Sequence, residues 1–403
     1  MKHKLTSISN EVVIVGADHH NTLAIVRCLG ASGLRIRVLL HGHWENGTIP
    51  NLAHCKYAKN KVECCNEDAS EIVTWLLANE PKDEPTILFP CSDFAAFVMD
   101  TSEELAGKNF IFPGFQGQRG KVSYMMDKWA QMHFAQQHGF PMAKSWKVNV
   151  HTENMPGNMI YPCIVKPIIS AAGNKSDIRI CQTANDLSSA IVEFEAKGYE
   201  EVLIQEFLKK LYEECAYGCV ISSEPRICGG IIKKVRENPP GGGGSLSFAQ
   251  FLGENEFANS IAYQVLEILQ AEGYRGMFDV ELFVCENGVY LNEINFRHSG
   301  NGYALLRNGV PAPLYYCLDV VGHALPENSK WFVEEATYHM DELSDLSHVY
   351  KGRISPIEWL KCVCKTRAFA KFWIGDLRGS LVWYKPLVKS ATRKVMGKVL
   401  RKR

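Results

Sequence analysis

The sequence predicts an α/β protein, α+β overall, with an open parallel sheet followed by a larger region of hairpins and helices. Three observations carry this. Residues Glu11 to Leu40 read strand, turn, helix, strand. Short apolar runs then recur, as in TILFP, YPCIVKP and VLIQEFL, each bounded by turn residues. Met277 to Asn301, MFDVELFVCENGVYLNEINFRHSGN, reads as a hairpin whose two strands carry acids.

The first strand, VVIVG, is continuous and apolar, as a strand covered on both faces must be. ADHHNT turns the chain, and Asn21 or Thr22 can cap a helix to about Ala31. Gly33 ends it and LRIRVLL is the next strand. Doubly wound domains open this way. GxGxxG is absent after Val15, so NAD or FAD is not expected here. His19 and His20 fall at the carboxyl end of the first strand, where such sheets bind ligands, although loop histidines are more often merely exposed. A helix from Ala69 to Asn79, the strand TILFP, the turn CSDFAA and a helix from Phe94 to Leu105 lead to FIFPG, closing the domain near residue 114. Asp93 is placed to cap that last helix, with substrate contact as the alternative.

Gly117 to Gly139 reads as helical, with Asp127-Lys128 mid-segment. Lys166 stands near the end of the strand Tyr161 to Pro167, where an ammonium is costly unless it meets an anion. The loop IISAAGNKSDIRI follows, and its small residues, Ser170 and Gly173 among them, let backbone N–H groups approach phosphates. Ile227 to Phe251 holds two prolines and four consecutive glycines, a flexible linker or a loop that closes over substrate.

In the hairpin, Phe278 to Cys285 and Val289 to Ile294 are strands joined at Glu286-Asn287-Gly288. The pairing brings Glu281 near Glu293, and Asn295 shares a face with Glu293. Two carboxylates and an amide oxygen suit Mg²⁺ holding nucleotide phosphates, and Arg297 is placed to reach a phosphoryl oxygen. One acid would be better read as solvated; ExNxR after a buried strand, with a second Glu one hairpin back, is not.

This pattern resembles the metal-binding end of the ATP-grasp superfamily, as in biotin carboxylase, carbamoyl phosphate synthetase and the D-alanine–D-alanine ligases. The resemblance implies that Glu281, Glu293 and Asn295 hold Mg²⁺, with Mn²⁺ as an alternative, and that Arg297 binds phosphate. It implies that Lys128 and Lys166 bind the phosphates of ATP, with the loop at Ser170 and Gly173. Gln205, Glu206 and Leu208 take the adenine-hinge positions, and Glu214, or else Glu213, the ribose position. Lys233 or Lys234 and Arg236 fall where the family's ligases contact the acceptor, and Ser299-Gly300-Asn301 falls beside the metal residues. Pro90-Cys91-Ser92-Asp93 is similar to the P-x-S/T-D of the domain preceding ATP-grasp. The loop departs from the family in having one glycine. The implied organisation is a Rossmann-like pre-ATP-grasp domain over 1–114, an ATP-grasp domain over 115–325 with a lid subdomain at about 145–206, and a C-terminal extension over 326–403.

The implied activity is an ATP-dependent carboxylate–amine ligase that forms an amide through an acyl phosphate, with an amino acid substrate and a role in cell-envelope or polysaccharide assembly. A carboxylase or carbamoyl phosphate synthetase-like activity is the alternative, weakened by the absence of a biotin-carrier domain or a second repeat. A nucleotide-binding, membrane-associated protein without catalysis is the third reading. Small-molecule carboxylate and amine substrates are the expected partners.

Zero formal net charge over 403 residues argues against a globally basic nucleic-acid binder. The 14 cysteines include no CxxC pair and read as free thiols of a reducing compartment; Cys64-Cys65 and Cys362/Cys364 are weak ligand candidates. The N-terminus lacks the apolar core of a signal peptide and no run spans a bilayer, so a cytoplasmic protein is expected. Beyond Pro326, Ala336 to Leu343 reads as one more strand and Pro356 to Phe372 as a helix. Lys385 to Arg403 has eight Lys/Arg and no acid, interleaved with apolar residues. That is a basic amphipathic helix, either a solvated end or a peripheral contact with the inner face of a membrane.

Overall fold

The structure is a computed structural model, and it describes residues 8–45, 47–151, 155–168, 177–239, 245–300 and 302–387. Five parallel strands open the chain: β1 (Glu11–Gly16), β2 (Arg35–His41), β3 (Val62–Cys65), β4 (Thr86–Pro90) and β5 (Phe110–Ile111). Their order is β3-β2-β1-β4-β5. The winding reverses between β1 and β4, and the crevice beyond their carboxyl ends is where such sheets receive ligands. His19 follows β1 there and Asp93 follows β4.

The caps differ from those expected. His19 caps the first helix, His20–Ala31, its Nδ1 accepting from the Asn21 N–H at 3.3 Å, while Thr22 Oγ1 donates back to the Ala17 carbonyl. Ser92, not Asp93, caps the helix Asp93–Thr101 through the Ala95 N–H. That frees the Asp93 carboxylate.

Strand β6 (Gly114–Phe115) leaves this domain. The segment expected as one helix is two, Lys121–Met125 and Lys128–Gln137. Asp127 interrupts it, because its carboxylate accepts from the Trp129 and Ala130 N–H groups and so starts a new helix at Lys128. A second, antiparallel sheet has the order β7-β10-β8-β9, with β7 (Ser145–Asn149), β8 (Cys163–Pro167), β9 (Arg179–Cys181) and β10 (Glu201–Glu206). The helix Ala184–Ala196 covers it, anchored by buried Leu187, Ile191 and Phe194.

The third sheet comprises β11 (Lys210–Val220), β12 (Ile227–Asn238), β13 (Ser245–Phe251), β14 (Tyr274–Cys285), β15 (Gly288–Asn295), β16 (Tyr338–Met340) and β17 (Thr366–Phe369). Its order is β15-β14-β11-β12-β13-β16-β17, with β6 on β14. One face packs Ala216, Val280 and Leu282 against the helix Ile261–Ala271. On the other face Cys215, Tyr217 and Met277 share a core with Ile14 and Leu23 of the first domain and Tyr316 of the helix Ala312–Val320. The strand expected within Ala336–Leu343 is β16; the helix expected to reach Phe372 stops at Lys365, where Thr366 turns extended and begins β17.

Asp319 ties the helix Ala312–Val320 to the sheet. Buried, it accepts from the Ser222 and Ser223 N–H and hydroxyl groups and from Arg275. Burial opposes its charge, but Arg275 and the serine donors outweigh that and hold its pKa down at about 2. Replacing Asp319 with Ala is expected to cost about 3 kcal/mol in urea unfolding at neutral pH. The folded-state pKa lies below the ordinary 3.8, so this stability is present above that value and is lost as pH falls through about 2. The wild-type advantage over the variant should therefore vanish in acid.

Candidate active site

The hairpin β14–β15 turns in two residues, with Cys285 opposite Gly288 and φ +145° at Gly288. Its register sets Glu281 directly opposite Glu293 and Asp279 opposite Asn295. Leu282 faces Leu291, so Asn292 is an extra residue on β15. This bulge lets Asn292 Nδ2 donate to Glu281 Oε2 at 3.0 Å.

Three acids thus share one face of β14–β15. Burial raises the Glu281 carboxyl to about 7, reinforced by Asp279 and then Glu293. Burial likewise lifts Asp279 to about 6 against the pull of Arg297. Asp279 Oδ1 is buried without a hydrogen-bond partner among the described residues.

Two lysines approach from other elements. Lys128 Nζ lies 3.2 Å from Glu293 Oε1. Buried Gln131, one turn on, exchanges hydrogen bonds with the Ile294 N–H and carbonyl at 2.8 Å each and locks that helix to β15. Lys166, on β8, donates to Gln205 Oε1 at 2.8 Å, and Gln205 in turn donates to Ser145 Oγ. Burial first, then Lys128, lowers Lys166 to about 8, while Glu293 and Glu281 pull it back up. The Lys128 N–H also donates to the Ile168 carbonyl, joining the second sheet to this helix.

Arg297 is clamped. Its Nε donates to Asp93 Oδ1 at 2.9 Å and its Nη1 to Asp279 Oδ2 at 3.0 Å. Burial works against its charge, but Asp93 and Asp279 together raise its pKa. One guanidinium therefore links the crevice of the first sheet to the acids of the third. Beyond it, His298 and Ser299 are buried, and His298 Nε2, Ser299 Oγ and His20 Nδ1 have no partner among the described residues. Only glycines fit between them. A Cβ on Gly300 would stand 2.4 Å from the His20 ring, and one on Gly302 would stand 1.9 Å from that of His298. Burial and then Arg297 lower His298 to about 3, so its imidazole is neutral.

No family model matches the chain. It is 22% identical over 309 residues to the formate-dependent phosphoribosylglycinamide formyltransferase of Wolinella succinogenes, covering 75% of this chain and 73% of that one. Among solved structures it superposes on the ATP complex of carboxyaminoimidazole ribonucleotide synthase from Aspergillus clavatus with a TM-score of 0.61 and 14% identity, covering 86% of this chain and 87% of that one. It superposes on a biotin carboxylase–ATP complex from Campylobacter jejuni with a TM-score of 0.60 and 16% identity, covering 79% and 72%. The fold is that of the ATP-grasp enzymes.

The resemblance seen in the sequence is thereby borne out at the level of the fold, and the β14–β15 hairpin sets Glu281 opposite Glu293 as the sequence predicted. Several expected site residues are placed differently. Glu214 and Lys233 pair across β11–β12, and the two-residue alternation puts them on the face away from Glu281. Lys233 Nζ lies 3.7 Å from the centre of the Tyr212 ring there. Their neighbours Glu213 and Lys234 occupy the site face instead, forming an ion pair that Lys210 joins, with Glu213 buried. Arg236 is spent on Asp345, with Nε–Oδ1 at 2.9 Å and Nη2–Oδ2 at 2.7 Å, and it stacks on Phe248. Gln205 points at Lys166 rather than into a free hinge; Glu206 N–H and Phe207 N–H are bonded to the Lys144 and Pro162 carbonyls, with Leu208 next in the chain. Ser170, Gly173, Asn301 and the four glycines at 241–244 lie outside the described residues.

Sequence reasoning missed Asp279, although it stands two residues before Glu281 and shares its face by the strand period. It read Asp93 as a helix cap, with substrate contact as the alternative, and Ser92 beside it takes the cap instead.

A divalent cation fits the chemistry of this acid set: Glu293 stands directly opposite Glu281 and, after burial and Asp279, raises its pKa, a repulsion a divalent cation relieves. Asn295 is buried on the same face, its Nδ2 directed at the Asp279 carbonyl. Among the described residues no three His, Cys, Asp or Glu are gathered as ready ligands. Glu293 is engaged by Lys128, so the cation would enter together with phosphates that take over the lysine.

Proposed function

We propose that the protein is an ATP-dependent carbon–nitrogen ligase that activates a small carboxylate and joins it to an amine. The observation that carries this is the opposed Glu281–Glu293 pair with Lys128 3.2 Å from Glu293 and with Lys166 close enough for both carboxylates to raise its pKa. Lys128, paired with Glu293, and Lys166, bonded to Gln205, can re-partner around a polyphosphate. Lys128 and Lys166 would hold the β- and γ-phosphates. Glu281, Glu293 and Asn295 would hold Mg²⁺, which supplies neutralisation of phosphate charge. The substrate carboxylate oxygen attacks the γ-phosphorus and ADP leaves; the amine nitrogen then attacks the acyl carbon, phosphate leaves, and the amine proton passes to solvent. Arg297, held by Asp93 and Asp279, would face the transferring group. The unpartnered atoms of His20, His298 and Ser299 would meet the acceptor, and the imidazoles, both held below their usual pKa by burial, favour hydrogen-bonding groups over anions. Glu213 is the ribose candidate in place of Glu214, because it shares the site face.

The test is phosphate release from MgATP across a panel of L- and D-amino acids with and without small carboxylates. Release that depends on one pairing supports the ligase. ATP binding without turnover under any pairing supports a non-catalytic nucleotide binder, and absence of ATP binding removes the reading.

Lys166 also sets a pH dependence. With its pKa near 8, ATP binding must supply a proton above that value. Affinity for ATP should therefore hold to about pH 7 and fall roughly ten-fold per unit well above 8. Lys166→Arg, which keeps its proton, should flatten the profile in isothermal titration.

A further inference from the structure

Asp93 stands at the carboxyl end of β4 with one of its two oxygens uncommitted. Ser92 Oγ takes the helix cap, accepting from the Ala95 N–H at 3.1 Å, and His41 at the end of β2 holds that hydroxyl at 2.8 Å through Nε2. The Asp93 side chain is 17% exposed, and its bond to Arg297 Nε uses Oδ1. Oδ2 makes no hydrogen bond among the described residues.

Three stretches of chain meet around this carboxylate. β1 ends at Gly16 and leads to His20. β4 ends at Pro90, whose carbonyl accepts from the His298 N–H at 3.5 Å. The turn from Arg297 to Gly300 comes up against both, with Gly300 packed on the His20 ring. This is the crevice where the winding of the first sheet reverses. Charge there is out of balance. Asp93 and Asp279 share one guanidinium, which leaves one negative charge over. His20 and His298 add no positive charge at neutral pH, since burial holds both below their usual range. Lys371, whose charge reaches His20, is itself paired with Asp341. Ser299 Oγ and, in one tautomer, His298 Nε2 can accept hydrogen bonds, and both are buried without a partner among the described residues.

We propose that Asp93 recognises the acceptor amine, binding it as an ammonium through Oδ2. The inference rests on the ligase reading above. An ammonium brings three donors and one positive charge. Asp93 Oδ2, Ser299 Oγ and His298 Nε2 would supply the acceptors, and the surplus negative charge the counter-ion. The acceptor class is then a small primary alkylamine, such as the amino group of an amino acid. An aryl amine is uncharged at neutral pH and draws nothing from the anion. A phosphorylated amine would need a cation, and Arg297 is already held by two acids. Bound first as an ammonium, the nitrogen gives up a proton to solvent before it attacks the acyl carbon.

Phosphate release with amino acids as the amine probes, and with hydroxylamine in their place, tests this in wild type, Asp93→Asn and Asp93→Glu. Asparagine keeps an oxygen for Arg297 Nε and removes the anion. The D93N KM for the amino acid should rise about ten-fold or more, with kcat lowered far less. Hydroxylamine is largely uncharged at neutral pH and takes the acyl group from the acyl phosphate to give a hydroxamate and phosphate. With it, D93N and wild type should stay within about three-fold. Asp93→Glu keeps the charge and should recover part of the amino acid KM. Thermal melting checks that each variant is folded. Without any substitution, wild type should form amide from amino acids and not from aniline. An amino acid KM unmoved in D93N overturns the proposal, and so does amide formation from aniline. Equal losses with the amino acid and with hydroxylamine overturn it too, since Asp93 would then act only by holding Arg297. Wild type that releases phosphate with no amine probe fails the ligase reading itself, a result seen before any variant is made.

Discussion

Glu293→Gln should lower MgATP-dependent phosphate release by about 10³-fold while leaving the protein folded. The substitution keeps the shape of the side chain and removes one charge. Glu293 holds Lys128 at 3.2 Å and stands opposite Glu281, so the loss releases the lysine and halves the opposed carboxylate pair. Stability should not fall. Glu281, raised to about 7 by burial, Asp279 and Glu293, loses one of its repulsive neighbours. The melting temperature in the absence of divalent cations should therefore stay level or rise. A variant that melts like wild type and turns over ATP at the wild-type rate would remove Glu293 from the chemistry. Cooperative unfolding separates a catalytic loss from misfolding.

Arg27→Ala should cost about 3–5 kcal/mol of unfolding free energy. Arg27 and Asp376 are both fully buried, 3.1 Å apart. Arg27 also donates to the Lys371 carbonyl and to Ser380 Oγ, and it lies over the Tyr303 and Trp373 rings. Truncating the arginine strands the Asp376 charge in the core and unties the C-terminal segment from the first helix. The pair R27M/D376L should recover much of the loss, because an apolar pair fills the space without a buried charge. Urea unfolding of the two variants checks this, and equal destabilisation by both would show that packing rather than charge dominates. The same experiment asks whether the segment is needed for the fold, since it brings β16 and β17 to the edge of the third sheet.

Much of this protein was legible locally. VVIVG and LRIRVLL announced a parallel sheet because both faces of each strand are covered and the run stays apolar. The acidic hairpin was legible because pairing and alternation are local consequences of a two-residue turn. Lys166 stood out because an ammonium ending an apolar strand needs an anion nearby. The helix break at Asp127 was not foreseen, since helix periodicity survives a new cap.

Side-chain partners across long separations were decided only by the tertiary structure. Glu213 and Glu214 are adjacent and chemically alike, and so are Lys233 and Lys234. The register of β11 against β12 and β14 chooses one of each for the site face. Nothing local sets that register, because it depends on which face of the sheet the first domain covers. Arg236 looked free for a substrate until the helix Glu342–Tyr350, more than a hundred residues later, supplied Asp345. Asp93 and Arg297, 204 residues apart, became one unit because the β1–β4 crevice opens toward the end of β15. By itself the sequence determined which residue types were available and on what period they alternate. Folding decided which of them are paired, since a buried charge takes whichever partner the packing brings within reach.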